Sequence, residues 1–366
     1  MVWTQCLLLL SCFCHFVIST EPPCVIELQC AECVPDNMPL VTSQRAADGS
    51  LRHLLELGCQ ENVFEDVLHT VEHCSPPLRG RAYQLQEENS NIRHMATLCF
   101  DEDRGIATFA HVSNAPANVL RMPPHSEQRA PLTLFGNFNN MFDSNTRSVA
   151  EKLYSDDDRL NRRVRELFKH EKFSFAGQNL TSAGLLSAHY FDDQNMRVAE
   201  FVSNKVAVWG SVATGNLDHM QRDVAKFARM TRPHATVDVY AGTHGDMALR
   251  TGHTRKEIFL RASRFPVPKY IWTVVHDKVN KRALAVVVLN DPFVAVSEIR
   301  EVVFCESACA HVSWLSALRR HRNYESPLYG LAFCCSVHDF ASVVTELPAA
   351  LLADVPAGRE GLLTDL

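Results

Sequence analysis

The stretch Lys205-Val206-Ala207-Val208-Trp209-Gly210-Ser211-Val212-Ala213-Thr214-Gly215-Asn216-Leu217-Asp218-His219-Met220-Gln221 passes from one structural period to another. Val206 and Val208, with Val198 and Phe201 before them, are β-favouring and predict a strand. Thr214-Gly215-Asn216 then opens a helix, on which Met220, Val224, Phe227 and Ala228 share one face. Downstream, Thr236-Val237-Asp238-Val239-Tyr240 predicts a strand that ends in a turn at Gly242-Thr243-His244-Gly245. Tyr270–His276 and Arg282–Leu289 predict two more strands, separated by Asp277-Lys278-Val279-Asn280. This mixed order of helices and strands predicts an α+β fold.

Upstream, Thr97-Leu98-Cys99-Phe100 and Ile106-Ala107-Thr108-Phe109 have strand composition and bracket the turn-like Asp101-Glu102-Asp103-Arg104-Gly105. Residues 113–147, rich in Asn, Pro and Ser, read as an exposed loop. Val149–Phe168 reads as one helix with a solvated face around Asp156-Asp157-Asp158 and Arg162-Arg163. Residues 21–98 are cysteine-rich and carry Pro22-Pro23, Pro39 and Pro76-Pro77, which predicts a small stapled region of loops and short strands.

At the start of the chain an apolar run from Cys6 to Ile18 follows the short, uncharged Met1–Gln5 and leads to Ser19, Thr20 and Glu21-Pro22-Pro23. That is a signal-peptide pattern, with cleavage expected after Ser19 or Thr20. It is too short for a membrane span, which needs about 20 apolar residues. The most apolar later run, Ala283–Leu289, stops at Asn290-Asp291-Pro292, so no membrane association is expected. The expectation is a secreted, extracellular protein.

Ten cysteines remain beyond the signal region: Cys24, Cys30, Cys33, Cys59, Cys74, Cys99, Cys305, Cys309, Cys334 and Cys335. An even number in an exported chain predicts disulfides rather than zinc, with the connectivity open. None lies between Cys99 and Cys305, so the middle of the chain must be held by packing. The sequon Asn179-Leu180-Thr181 places Asn179 at the surface as a glycosylation candidate. The formal net charge of −6 excludes a generic polyanion binder, so any nucleic-acid affinity has to be local. Between Arg197 and Arg264 eleven Lys and Arg face six Asp and Glu, and Arg319-Arg320-His321-Arg322 forms a second basic cluster. There is no Gly-x-Ser-x-Gly elbow, no His-Glu-x-x-His helix and no phosphate loop, and the 17 histidines are scattered.

The order of several pieces resembles the DNA/RNA non-specific endonucleases in their secreted arthropod form. Val239-Tyr240-Ala241-Gly242-Thr243-His244-Gly245 is similar to the family's Val-Tyr-Thr-Gly-Thr-His-Gly. Val267-Pro268-Lys269-Tyr270-Ile271-Trp272, Leu289-Asn290-Asp291-Pro292, Cys99-Phe100-Asp101-Glu102 and the Cys305, Cys309, Trp314 and Tyr329-Gly330 to Cys334-Cys335-Ser336-Val337 tail also fit, so that the likeness covers roughly residues 55–346. The resemblance implies a ββα-metal (His-Me finger) fold with a central antiparallel sheet. It also implies four segments: a signal peptide (1–20), a cysteine-rich N-terminal region (21–95), the nuclease-like domain (96–346) and a C-terminal tail (347–366).

In that family a histidine activates water, an asparagine before the helix holds one magnesium ion, a helix glutamate completes the metal's water shell and arginines assist the phosphate. Anchored on Asn204, Trp209 and Asn216, the resemblance puts the metal-ligand asparagine at Ala213, the helix glutamate at Gln221 and the arginine after it at Ala225. Ser182-Ala183-Gly184-Leu185-Leu186-Ser187-Ala188 falls on Asp-Arg-Gly-His-Leu-Ser-Pro, so the arginine becomes Ala183 and the general base Leu185. A rival register puts Ala176-Gly177-Gln178 on Arg-Gly-His, and there too the histidine is absent. Leucine accepts no proton, and loss of a general base costs about 100- to 10,000-fold in rate. Magnesium takes oxygen ligands, and an alanine side chain supplies none.

No catalytic residue is therefore expected intact, and no cofactor. Three readings follow. The first is a catalytically dead, secreted nuclease homologue that binds DNA, RNA or a protein partner. The second is an active magnesium nuclease with a rearranged site, using His189 or His219 as base. The third is a secreted interaction protein with no nucleic-acid role.

Overall fold

The computed structural model describes residues 40–45, 51–56, 63–68, 70–71, 73–74, 76–86, 92–113, 144–169, 175–191, 196–231, 237–252 and 254–365. The expected signal peptide and Cys24, Cys30, Cys33 and Cys59 lie outside them. The chain divides into two units, Met1–Gln60 and Glu61–Leu366. In the first, β1 (Leu40–Arg45) and β2 (Leu51–Glu56) pair antiparallel, from Leu40 opposite Glu56 to Arg45 opposite Leu51.

In the second unit, β3 (Val63–Leu68), β4 (Leu78–Gln86), β5 (Ile92–Asp101) and β6 (Ile106–Ser113) lead to helices α1 (Ser144–Tyr154) and α2 (Asp157–Leu167). Strands β7 (Leu180–Gly184) and β8 (Lys205–Trp209) follow. After them come the short turn α3 (Gly210–Val212), a π-helical turn (Ala213–Leu217) and helix α4 (Asp218–Thr231). Next are β9 (Val237–Asp246) and two small hairpins, β10 (Ala248–Thr251) with β11 (Thr254–Glu257) and β12 (Phe259–Arg261) with β13 (Arg264–Pro266). The chain continues through β14 (Pro268–Asp277), β15 (Arg282–Leu289), α5 (Ile299–Val302), β16 (Ala332–Cys335), α6 (Val337–Ala341) and α7 (Ala349–Asp354).

Eight of these strands form one antiparallel sheet in the order β16-β15-β14-β9-β6-β5-β4-β3. The expected boundary at 95/96 falls inside β5, so the strands before and after it belong to one sheet. Both faces are covered, which is why β15 is apolar at almost every position. Leu284, Val286 and Val288 enter one apolar layer with α2, α4, β7 and β8. Ala283, Ala285, Val287 and Leu289 enter the other, with Phe304, Phe340, Leu351 and Val355 from the C-terminal part. The described part of the expected C-terminal tail, residues 347–365, packs against the sheet: Leu351 and Val355 are buried, and Leu363 N donates to Ala283 O at 3.1 Å.

Four local expectations change. The turn at Gly242–Gly245 is strand, since β9 runs on to Asp246. Gly242 lies opposite Trp272 in β14, where a Cβ would meet the indole at 2.0 Å; the glycine makes room for a ring rather than for a turn. The single helix over Val149–Phe168 is two helices. Asp156 caps the second, accepting from Asp158 N at 2.9 Å, and Asp157 and Asp158 sit in its first turn, where the helix dipole favours them. The strand from Val198 starts at Lys205, because Met196–Glu200 and Val202–Asn204 are 3₁₀ turns. Of the expected loop 113–147, Ser113 ends β6 and residues 144–147 form the start of α1; residues 114–143 lie outside the described residues.

Among the described residues, disulfides join Cys74 to Cys99, Cys305 to Cys335 and Cys309 to Cys334. Cys334 and Cys335 are neighbours on β16, and successive side chains of a strand point to opposite faces. One bridge accordingly enters each apolar layer.

Candidate functional site

Strands β7 and β8 pair antiparallel, from Leu180 opposite Trp209 to Gly184 opposite Lys205, and the chain leaves β8 directly into α3 and α4. Polar side chains fix this two-strand and helix unit from inside. Asn161 on α2 accepts from Leu180 N and donates to Leu180 O, both at 2.7 Å. Asn290 accepts from Trp209 N at 3.0 Å and donates to Ala207 O and Pro268 O, tying β8 to the main sheet. Asn204 is fully buried; it accepts from Leu186 N at 2.7 Å and donates to Leu186 O and Ala199 O at 2.8 Å. It thereby shapes the segment just past Gly184.

Of the expected catalytic positions, Leu185 and Gln221 meet at that segment. Leu185 is 1% exposed, packs in the core and donates its N–H to Asn204 O at 2.8 Å. Ala183 is half-buried on β7, facing Val206 across the pair. Ala213 opens the π-helical turn, and Ala225 is buried on α4. Gln221 reaches back from α4 and donates its amide to Gly184 O at 3.0 Å. The rival positions Ala176 and Gly177 form a turn with positive φ ahead of β7, away from the strand.

The loop beyond the helix start is clamped as well. Asn216, fully buried, donates to Asn323 O at 2.8 Å and Gly330 O at 2.7 Å, and a Cβ on Gly215 would meet Tyr329 O at 2.7 Å. These bonds bring the segment after the second basic cluster against the helix start. Within that cluster Arg319 donates to Val312 O and Arg320 is exposed; the side chains of His321 and Arg322 lie outside the described residues. Asp223 on α4 accepts from Ala317 N at 2.9 Å and Leu318 N at 2.8 Å. Burial raises its carboxyl above the usual range, and those bonds lessen the rise.

His189 lies in a 3₁₀ turn behind Ser187, whose hydroxyl accepts from His189 N at 3.2 Å. His219 is half-buried on α4, with its Nδ1 buried and lacking a hydrogen-bond partner among the described residues. Among the described residues no three His, Cys, Asp or Glu side chains come close enough to share one cation. The expected sequon residue Asn179 is exposed, and its carbonyl accepts from Gly210 N at 2.8 Å.

Much of the local basic segment is engaged. Lys205 pairs with Glu200 at 2.5 Å, Arg222 with Asp218 at 2.9 Å, and Arg229 donates to Ala225 O. Sequence reasoning missed Asn161 and Asp223. The signal for Asn161 was a polar residue between Leu160 and Val164, inside the buried stripe of a helix.

Among known proteins, no family model matches this chain. The salivary endonuclease of Lutzomyia longipalpis is 22% identical over 294 residues, which is 78% of this chain and 66% of that protein. Salivary protein Tsal1 of Glossina morsitans morsitans is 27% identical over 151 residues, or 40% of this chain and 35% of that protein. The chain thus spans less than two thirds of the length of either curated relative. The solved structure of an EndoG/EndoGI complex aligns with 54% of this chain and 72% of its own, at 9% identity and a TM-score of 0.31. Among the described residues no helix is long and apolar enough to cross a membrane. The likeness to the salivary endonuclease runs through most of the sequence, and the chain is a distant relative of the non-specific endonucleases.

Proposed function

We propose that this protein is a secreted nuclease homologue whose β7–β8–α4 unit is a ββα-metal scaffold that has lost phosphodiester hydrolysis and keeps nucleic-acid binding. The observation that carries the reading is the bond from Gln221 to Gly184 O beside a buried Leu185, together with an alanine at position 213, whose side chain carries no polar atom. A carboxylate at position 221 would repel that carbonyl, whereas a carboxamide is held by it. The magnesium of the family does not fit these residues. The side chains of Ala213 and Leu185 offer no oxygen, and that of Gln221 offers one neutral oxygen where a hard dication asks for a near-octahedral oxygen shell. A base alone, from His189 or His219, leaves the developing phosphate charge without a stabiliser.

Export is supported by the apolar N-terminal run and by the salivary names of both relatives. The exposed Asn179 is a site for an N-linked glycan in that setting.

The test is incubation of the purified full chain with plasmid DNA and double-stranded RNA in magnesium, manganese or calcium. Both substrates are expected to stay intact while salt-sensitive binding is seen. Cutting that EDTA abolishes would overturn the loss of chemistry. Restoring Leu185→His, Ala213→Asn and Gln221→Glu together is expected to bring back metal-dependent cutting, at some cost in stability because a histidine replaces a buried leucine.

A further inference from the structure

Hairpins β10–β11 and β12–β13 grow from a single junction. Met247 N donates to Val267 O at 2.8 Å, Val267 N to Ile258 O at 2.9 Å and Ile258 N to Met247 O at 3.0 Å, closing a ring of three backbone bonds. All three side chains are buried. An arginine stands three residues from the junction on each of the four strands. Arg250 follows Met247, Arg255 precedes and Arg261 follows Ile258, and Arg264 precedes Val267. At the rise of an extended strand that is about 10 Å from the junction.

The arginines are directly opposed in pairs, Arg250 across from Arg255 and Arg261 across from Arg264. Like charges facing each other across antiparallel strands are destabilising. The protein relieves this incompletely. Arg250 lies 3.2 Å and Arg255 4.0 Å from the same Glu298 carboxylate oxygen, and Arg255 also interacts electrostatically with the Asp291 carboxylate. Arg264 donates to Glu102 O, and Arg261 is exposed. Over residues 248–266 these four arginines and Lys256 stand against Glu257 alone, in a chain whose net charge is −6.

We propose that the two hairpins grip the phosphodiester backbone of a nucleic acid, with Arg250, Arg255 and Arg261 contacting phosphates outside the β7–β8–α4 unit. The assignment rests on the nucleic-acid-binding reading above. The guanidiniums of Arg250 and Arg255 at one hairpin end and of Arg261 at the other offer the planar donor forks whose hydrogen bonds phosphate oxygens accept. A polyanion also supplies further countercharge to this cluster, in which Arg261 is exposed. An anionic membrane fits less well, because among the described residues no large apolar side chain between 247 and 267 is exposed. Contacts to phosphate carry no sequence information, so this grip is indifferent to base sequence.

The experiment is fluorescence-anisotropy titration of the full chain with a short labelled duplex DNA over a range of salt concentrations. The triple variant Arg250→Ala, Arg255→Ala, Arg261→Ala is expected to bind more weakly, with the slope of log affinity against log salt reduced by about one per lost phosphate contact. The corresponding triple Lys variant is expected to keep most of the slope, and Arg359→Ala to leave it unchanged. Wild-type protein that binds no nucleic acid at low salt would overturn both the functional reading and this site. Wild-type binding that the triple Ala variant leaves intact in affinity and slope would overturn this site alone. Arginine-dependent binding to vesicles containing phosphatidylserine, without binding to the duplex, would overturn the choice of nucleic acid.

Discussion

Asn204 illustrates how much a single buried amide carries. Its side chain satisfies Leu186 N, Leu186 O and Ala199 O, none of which has access to water. Asn204→Ala leaves those groups unpaired in the core and is expected to lower stability by about 3 kcal/mol, read from urea unfolding. Asp238 sets an acid limit. Burial pushes its carboxyl up, but Ser113 Oγ at 2.6 Å, Lys278 Nζ at 2.6 Å and His111 Nε2 at 3.3 Å more than offset that and hold it at about 2. A depressed carboxylate contributes stability above its unfolded value, and that contribution disappears as pH falls from about 4 through about 2. Asp238→Asn is therefore expected to flatten the stability profile in that window while lowering stability at neutral pH. Asn204 stood out in the sequence as an anchor of a family-like spacing. Asp238 did not, because its partners come from β6 and from the turn after β14, and no local pattern joins them.

At the level of elements, the ring of Trp272 occupies the space above Gly242. Gly242→Ala puts a carbon 2.0 Å from that ring and 2.6 Å from Thr108 O, and neighbouring strands leave no room to move. The expected cost is about 3 kcal/mol or more, measurable as a loss of cooperative unfolding or of soluble yield. The strands at Tyr270–His276 and Arg282–Leu289 were legible because valine-rich runs bounded by a polar turn have few other readings. Gly242 misled for a matching reason: a glycine near polar residues reads as a turn, and the ring that requires it lies thirty positions further on. Val198 and Phe201 misled because apolar residues three apart also suit 3₁₀ turns. The split at Ser155 was written in Asp156, since aspartate before an acidic first turn is an N-cap signature.

For the molecule as a whole, the C-terminal bridges hold the edge strand β16 from both sides. Replacing Cys309 and Cys334 together by alanine frees a loop of 25 residues and is expected to cost about 3 kcal/mol in unfolding experiments. Reductant is expected to lower the wild-type midpoint in the same direction. An even cysteine count announced disulfides, but pairing depends on which strands become neighbours, which a count does not contain. The expected site positions rest on likeness alone, since what distinguishes them is the residue types they lack. Their surroundings, a carbonyl held by Gln221 and a core-packed Leu185, required coordinates.

Strands β6 and β9 are hydrogen-bonded neighbours, and Ser113 Oγ meets Asp238 Oδ1 where one ends and the other begins. Among the described residues, α1, α2, β7, β8 and α4 all lie between these two strands in the chain, and none of them adds a strand to the eight-stranded sheet. The sheet's ladder closes without any of these elements. Substitutions within them are free of the strand register, so a reactive centre placed there is replaceable without altering the frame. On the function proposed above, that arrangement is a physical route by which the chemistry is lost, one side chain at a time, while the central sheet continues to fold.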